Sequence, residues 1–192
     1  FYGILKMGAI HAPVSPMAKG MELSYQLDDC GARAIICFDQ LLPVVREIRE
    51  QTALEQVFST SLSELCPAQP PIPVPDLLQA PKLPVTDSID LMPALAATDP
   101  APQNLPRLNL DDTAALNYTG GTTGLPKGCI HTHGDMLYTC ASFVPVAMGF
   151  DEQRIGLNFM PEFWIAGENS GLLFPVFAGT TLVLLARWDA LT

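Results

Sequence analysis

Two stretches of this chain alternate short apolar runs with polar or glycine-bearing breaks, and a proline-rich stretch separates them. In the first, residues 1–7 end a helix that Gly8 closes. Residues 9–14 form a short buried strand. Residues 21–29 repeat apolar positions at helical spacing, with Gly31 as the stop. Residues 33–38 are an apolar strand. Residues 40–49 are a helix that tolerates Pro43 in its first turn, and residues 55–59 are another strand. Strands and helices that alternate in this way build a mostly parallel α/β layer. The second stretch repeats the scheme. Residues 113–118 are a strand, a glycine-rich loop follows, and residues 128–132 return as a strand. Residues 135–148 carry Met136, Leu137, Cys140, Phe143, Val144 and Ala147 at helical spacing. Residues 154–160 are a strand, residues 163–177 are partly helical, and residues 180–185 are a β-branched, leucine-rich strand.

Between the two stretches, eleven prolines fall from Cys66 to Arg107. Proline removes a backbone donor and clashes inside a helix, so this region excludes long helices and central strands. It is expected to be a connector with one weak helical turn near residues 89–96, either locally disordered or ordered but irregular. The organisation predicted is a scaffold lobe over residues 1–65, a connector over 66–110 and a second layer over 111–192.

Composition narrows the class. The 192 residues are the size of one domain. Hydrophobic residues are 48% and charged residues 16%, with a mean hydropathy of +0.25. The most apolar stretch, residues 172–186, is broken by Pro175, Gly179, Thr180 and Thr181, short of the roughly 18 uninterrupted apolar residues a membrane helix needs. A soluble, cytoplasmic protein is expected, with peripheral membrane contact left open. A net charge of −10 argues against nucleic acid as a partner. The cysteines, Cys30, Cys37, Cys66, Cys129 and Cys140, lack CxxC spacing and read as reduced, buried, small hydrophobes. His131 and His133 flank Thr132 with no ligand at zinc spacing, so no metal site is assigned. The opening at Phe1 shows no basic leader or small-residue cleavage site and is read as a truncation rather than a signal peptide.

The strongest candidate chemistry is in residues 118–128, YTGGTTGLPKG, with four glycines, three threonines and one lysine. Glycine allows close approach of the backbone to a ligand, threonine adds hydroxyls, and lysine adds a mobile ammonium. A Walker loop requires glycine before its lysine, and here Pro126 precedes Lys127. A dinucleotide fingerprint requires GxGxxG opening a helix, and here Gly120 and Gly121 are adjacent with a strand following. The predicted arrangement is strand–loop–strand, in which loop N–H groups rather than a helix terminus hold phosphate. The competing reading is a plain glycine-rich turn with an exposed lysine.

Residues 118–128 resemble at every position the phosphate-binding signature of the adenylate-forming superfamily: acyl-CoA synthetases, luciferases and peptide-synthetase adenylation domains. The double glycine is similar to the long-chain acyl-CoA synthetase version. KMGAIHAPVSP, MELSYQLDDCGARAII, PEFWIAG and LARWD resemble further family stretches. The resemblance implies part of the N-terminal domain of an acyl-CoA-synthetase-like α/β fold. It implies an AMP-forming acid–CoA ligase that takes ATP, Mg2+, CoA and a fatty or other hydrophobic carboxylic acid. On that reading Thr119, Gly120, Gly121, Thr122, Thr123, Gly124 and Lys127 hold the phosphates, and Trp164 and Gly167 line the acid pocket. Trp164 stands where the family carries histidine or another aromatic residue, and Glu162 where it carries an apolar one. Tryptophan as ordinary core filling is the alternative. His133 is expected as a cap or buried hydrogen-bond partner for the following helix, and His11, Asp28 and Asp29 as solvated or packed. Trp188 and Asp189, in LARWD, are expected to be structural. The family's YGxTE motif, ribose-binding aspartate and C-terminal catalytic lysine are not in this sequence, so no catalytic residue is assigned and the chain alone is expected to be inactive. A noncatalytic phosphate-binding module and an adenylation domain that loads a carrier protein are the alternatives.

Overall fold

The computed structural model describes residues 1–70, 74–100, 104–120, 124–149 and 151–185. Helix α1 (Tyr2–Lys6) runs into Gly8, whose left-handed φ of 75° turns the chain, as its placement after the helix predicts. The strand expected over residues 9–14 is reduced to one parallel bridge. The His11 amide donates to Ala114 O and His11 O accepts from the Leu116 amide. Pro13, with no N–H, cannot extend that ladder.

The chain forms two compact units, and these cut across three consecutive segments. One unit holds Pro16–Gln103, and the other joins Phe1–Ser15 to Asn104–Thr192. In the first, α2 (Gly20–Asp29), β1 (Ala34–Phe38), α3 (Leu42–Ile48), β2 (Gln56–Thr60), β3 (Ile89–Asp90) and α4 (Leu91–Ala96) follow one another. The sheet is parallel in the order β1-β2-β3. Leu23 and Leu27 of α2 and Leu42, Val45 and Ile48 of α3 are buried at three- and four-residue spacing. Gly31 ends α2 with φ 60°, and the Ala32 amide closes back on Leu27 O.

The proline-rich stretch adds more to this unit than a connector would. Beyond the short turn Asp76–Gln79, it supplies the edge strand β3 and the helix α4, where one weak turn is expected. Lys82 ties it down through Glu64 at 2.7 Å and Asp90 at 2.6 Å. The Leu83 amide donates to Asp39 Oδ2 at 2.8 Å.

The second unit holds β4 (Thr113–Thr119), β5 (Lys127–Thr132), α5 (His133–Phe143), β6 (Ile155–Asn158), α6 (Ile165–Glu168), α7 (Phe174–Ala178) and β7 (Thr181–Leu184). Strands β4 and β5 pair antiparallel and β6 and β7 pair parallel. The core is Leu5, Ala114, Ala115, Met136, Cys140, Val144, Leu173 and Phe174. Met136, Cys140 and Val144 are one helical stripe, whereas Leu137 and Phe143 of the same predicted pattern are exposed. Phe143 stacks on Phe174 with ring centroids 5.3 Å apart. The five cysteines are free thiols, but of those expected to be buried only Cys140 is; Cys30, Cys37 and Cys66 are half-buried and Cys129 is exposed. Burial pushes the Cys37 thiol up to about 11.

Candidate phosphate loop and the buried cluster beneath it

Strand β4 is buried through its middle, at Ala114, Ala115 and Asn117, and brings the candidate loop to its exposed end. Ala115 and Asn117 face inward and Thr119 is exposed. Across the hairpin Thr119 pairs with Lys127 and Tyr118 with Gly128. The strand–loop–strand arrangement is therefore present. The Thr119 hydroxyl donates to Lys127 O at 3.4 Å. The Tyr118 ring lies over Gly128, where an added Cβ would approach it to 3.1 Å, so a larger residue there would have to displace the ring by a few tenths of an ångström. Gly120 and Gly124 differ, since a Cβ on either would meet open space. Packing does not demand glycine at those two positions, and open backbone is what a ligand-wrapping loop needs. Lys127 is exposed, and no ion pair among the described residues engages its ammonium. Gly121, Thr122 and Thr123 lie outside the described residues, as do Trp188 and Asp189.

His133 is not the cap expected of it. Thr132 caps α5, with its Oγ1 accepting from the Asp135 amide at 3.0 Å and Asp135 Oδ2 accepting from the Thr132 amide at 2.9 Å. The Thr132 amide holds the Asp135 carboxyl below the usual carboxylate range. His133 is the first residue of the helix, and its own amide donates to Asp112 O.

The PEFWIAG segment opens α6. Trp164 is the residue before the helix, its amide donating to Pro161 O at 3.1 Å, and its side chain is 52% exposed. It does not fill core. It meets Phe163 edge-on at 5.3 Å. Gly167 is buried, and a Cβ there would sit 2.0 Å from Pro161 O, so this glycine is fixed by a backbone-to-backbone approach. The turn then widens over Asn169–Leu173 before α7.

One cluster escaped sequence reasoning. Glu168, at the end of α6, is fully buried. Its Oε2 accepts from the Asn117 side-chain amide at 3.1 Å, and His11 Nδ1 lies 3.4 Å from the same oxygen without hydrogen-bond geometry. Glu168 Oε1, Asn117 Oδ1 and His11 Nδ1 are buried with no hydrogen-bond partner among the described residues. His11, expected to be solvated or merely packed, stands instead beside a desolvated carboxyl. Two signals were available. Asn117 keeps the inward parity of Ala115 on an apolar strand, and Glu168 is the lone acid between Ile165 and Leu172 on a helical face.

Compared with known proteins, residues 1–192 match the family described as AMP-binding enzyme. The chain is 28% identical over 200 residues to a long-chain-fatty-acid–CoA ligase of Bacillus subtilis (strain 168), matching 100% of this chain and 35% of that protein. It is 29% identical over 191 residues to a crotonobetaine/carnitine–CoA ligase of Salmonella paratyphi A, covering 99% of this chain and 34% of that one. Among solved structures, the anthranilate CoA ligase AuaEII in complex with anthranoyl-AMP superposes with a TM-score of 0.80 at 25% identity, over 98% of this chain and 32% of that one. The chain thus spans about a third of the length of the relatives it matches, and its α/β fold is that of the N-terminal domain of acyl-CoA ligases.

Proposed function

The chain belongs to the AMP-binding enzyme family, and from that premise we propose that it is the phosphate-gripping part of an AMP-forming acid–thiol ligase acting on a fatty or other hydrophobic carboxylic acid. In that reaction a carboxylate oxygen attacks the α-phosphorus of ATP and pyrophosphate leaves. The CoA thiol, losing its proton, then attacks the acyl carbon, and AMP leaves. The difficulty is electrostatic, since two anions must meet and a third must depart. Thr119, Gly120 and Gly124, with Gly121, Thr122 and Thr123, would offer hydroxyl and amide donors to the phosphates. Lys127 would offset charge on them. Trp164 and Gly167 would form the wall against which the acid lies, with the exposed indole face offering apolar contact.

The observation that carries this reading is the end of the β4–β5 hairpin, where, among the described residues, Gly120 and Gly124 meet no packing atom and no ion pair engages Lys127. Among the described residues no group of three His, Cys, Asp or Glu could hold a metal. Magnesium, which the family resemblance implies, would be expected beside the substrate phosphates.

Titration of ATP into the chain and its Lys127→Ala variant by calorimetry tests the grip. Affinity is expected to fall at least tenfold, the order expected for losing a charge-assisted contact of 1.5–3 kcal/mol (about 1.4 kcal/mol per tenfold). Equal affinities would sink the loop as a phosphate site. The chain alone is expected to give no pyrophosphate exchange with a panel of fatty acids, and measurable exchange would show that it completes adenylation unaided.

A further inference from the structure

Strand β4 and helix α6 are far apart in sequence, and the reading above asks them to hold the two ends of one reaction. Strand β4 delivers Thr119 and Gly120 to the loop, and Trp164 opens α6. A direct contact between those elements would keep loop and wall in register. The Glu168–Asn117 hydrogen bond at 3.1 Å is such a contact. Asn117 lies two residues before Thr119 on β4, and Glu168 lies four residues after Trp164. Neither side chain is needed for filling. An apolar pair would pack the same space without leaving Glu168 Oε1 and Asn117 Oδ1 unpartnered. Residues that keep so unfavourable an arrangement are those whose geometry matters beyond stability. His11, hydrogen-bonded through its backbone to both Ala114 and Leu116 and with its ring 3.4 Å from Glu168 Oε2, brings a third segment to the same point.

We propose that Glu168 is a positioning residue, whose buried carboxyl ties β4 to α6 and so holds the loop-bearing end of the hairpin and the Trp164 end of the helix in one register. The tie is a property of this chain alone. Its consequence for ATP rests on the loop being the phosphate grip.

Native-state amide exchange tests the tie directly. In the unmodified chain, amides at Tyr118 and Thr119 and those over residues 167–173 are expected to exchange through one opening, with the same dependence on urea. Glu168→Leu is expected to speed exchange at least tenfold in both segments together. Glu168→Gln keeps an acceptor for the Asn117 amide and is expected to restore protection in both. Separate openings in the unmodified chain, or faster exchange around α6 alone in the leucine variant, would overturn the proposal, and the first of these needs no variant to fold. ATP titration adds the functional arm, with affinity expected to drop at least fivefold in Glu168→Leu and to recover in Glu168→Gln. Joint opening with ATP affinity unchanged would reduce Glu168 to a brace and overturn its positioning role. An unmodified chain that binds no ATP would sink the loop reading, while the exchange pattern still decides the tie.

Discussion

One polar cluster in each compact unit joins segments distant in sequence, and the two are built oppositely. In the Pro16–Gln103 unit, Lys82 meets Glu64 and both oxygens of Asp90. Glu64 also accepts from the Ser61 amide at 2.9 Å and the Thr60 hydroxyl at 3.1 Å. Every charge has an opposite charge, and the three side chains keep between 20% and 28% exposure, so water shares the load. In the other unit, the Glu168 carboxyl is fully desolvated and, among the described residues, accepts one hydrogen bond, while its own Oε1, Asn117 Oδ1 and His11 Nδ1 lack partners. The first cluster pins a proline-rich strand to a sheet and needs nothing more. The second costs stability, and it lies under the strand that ends in the candidate phosphate loop. Satisfied networks build folds, and under-satisfied ones mark where geometry is kept for another reason.

The contrast breaks most visibly at Asn117. Asn117→Asp puts a second carboxyl beside Glu168 with no water to separate them, and stability is expected to fall by on the order of 3 kcal/mol. Adding Glu168→Gln to that variant reverses donor and acceptor and should return most of the loss. Urea midpoints measure both, and an aspartate variant as stable as the parent would mean the cluster is solvated after all.

A smaller and pH-dependent effect is expected from the satisfied cluster. Hydrogen bonds from Lys82 and the Ser61 amide hold the Glu64 carboxyl below the usual range. Asp90 and Glu64 hold the Lys82 ammonium above its usual value. The Glu64 contribution is complete above an unfolded value of about 4.3 and is lost as pH falls through the lower folded value. That of Lys82 is complete below about 10.4 and is lost as pH rises through the higher folded value. Protection of the β2–β3 amides is thus expected to be flat across neutral pH, to fall in acid with Glu64 and to fall again in strong alkali with Lys82. Lys82→Met should move that acid limb upward, and an unmoved limb would show that other carboxyls control it.

The smallest effect belongs to Arg33, paired with Glu55 by two hydrogen bonds at 2.8 and 2.7 Å but with both side chains more than half exposed. Good geometry in water contributes little. Arg33→Ala should leave the urea midpoint within error, and a clear shift would mean that exposure is no guide to which polar contacts matter here.

Much of this was legible in the order of residues. Helix ends at Gly8 and Gly31 follow from backbone freedom, and the hairpin from apolar alternation on either side of a glycine run. Strand β3 was hidden because prolines mask a two-residue edge that exists only once Lys82 fastens it. Residues 9–14 looked like a strand, but a bridge at His11 is all that Pro13 permits. Thr132 rather than His133 caps α5 because a threonine three residues before an aspartate closes a reciprocal box, a signal present in the sequence. The Glu168 cluster was least legible. Its three members come from positions 11, 117 and 168, and no local pattern reports that the fold brings them together.

The unit that holds this cluster is discontinuous in the chain, with residues 1–15 rejoining residues from 104 onward. During synthesis, His11 emerges before β4 and has no β4 to pair with until the whole of residues 16–103 has followed. The intervening unit carries its own parallel sheet and helices, so it can form while the opening segment waits. Closing a loop of that length costs little more entropy than closing one of half its size, but it slows folding, because distant contacts must form before they are rewarded. Residues 1–15 are therefore made well before the strand they join, and the His11 side of the Glu168 cluster can close only after β4 and α6 have followed.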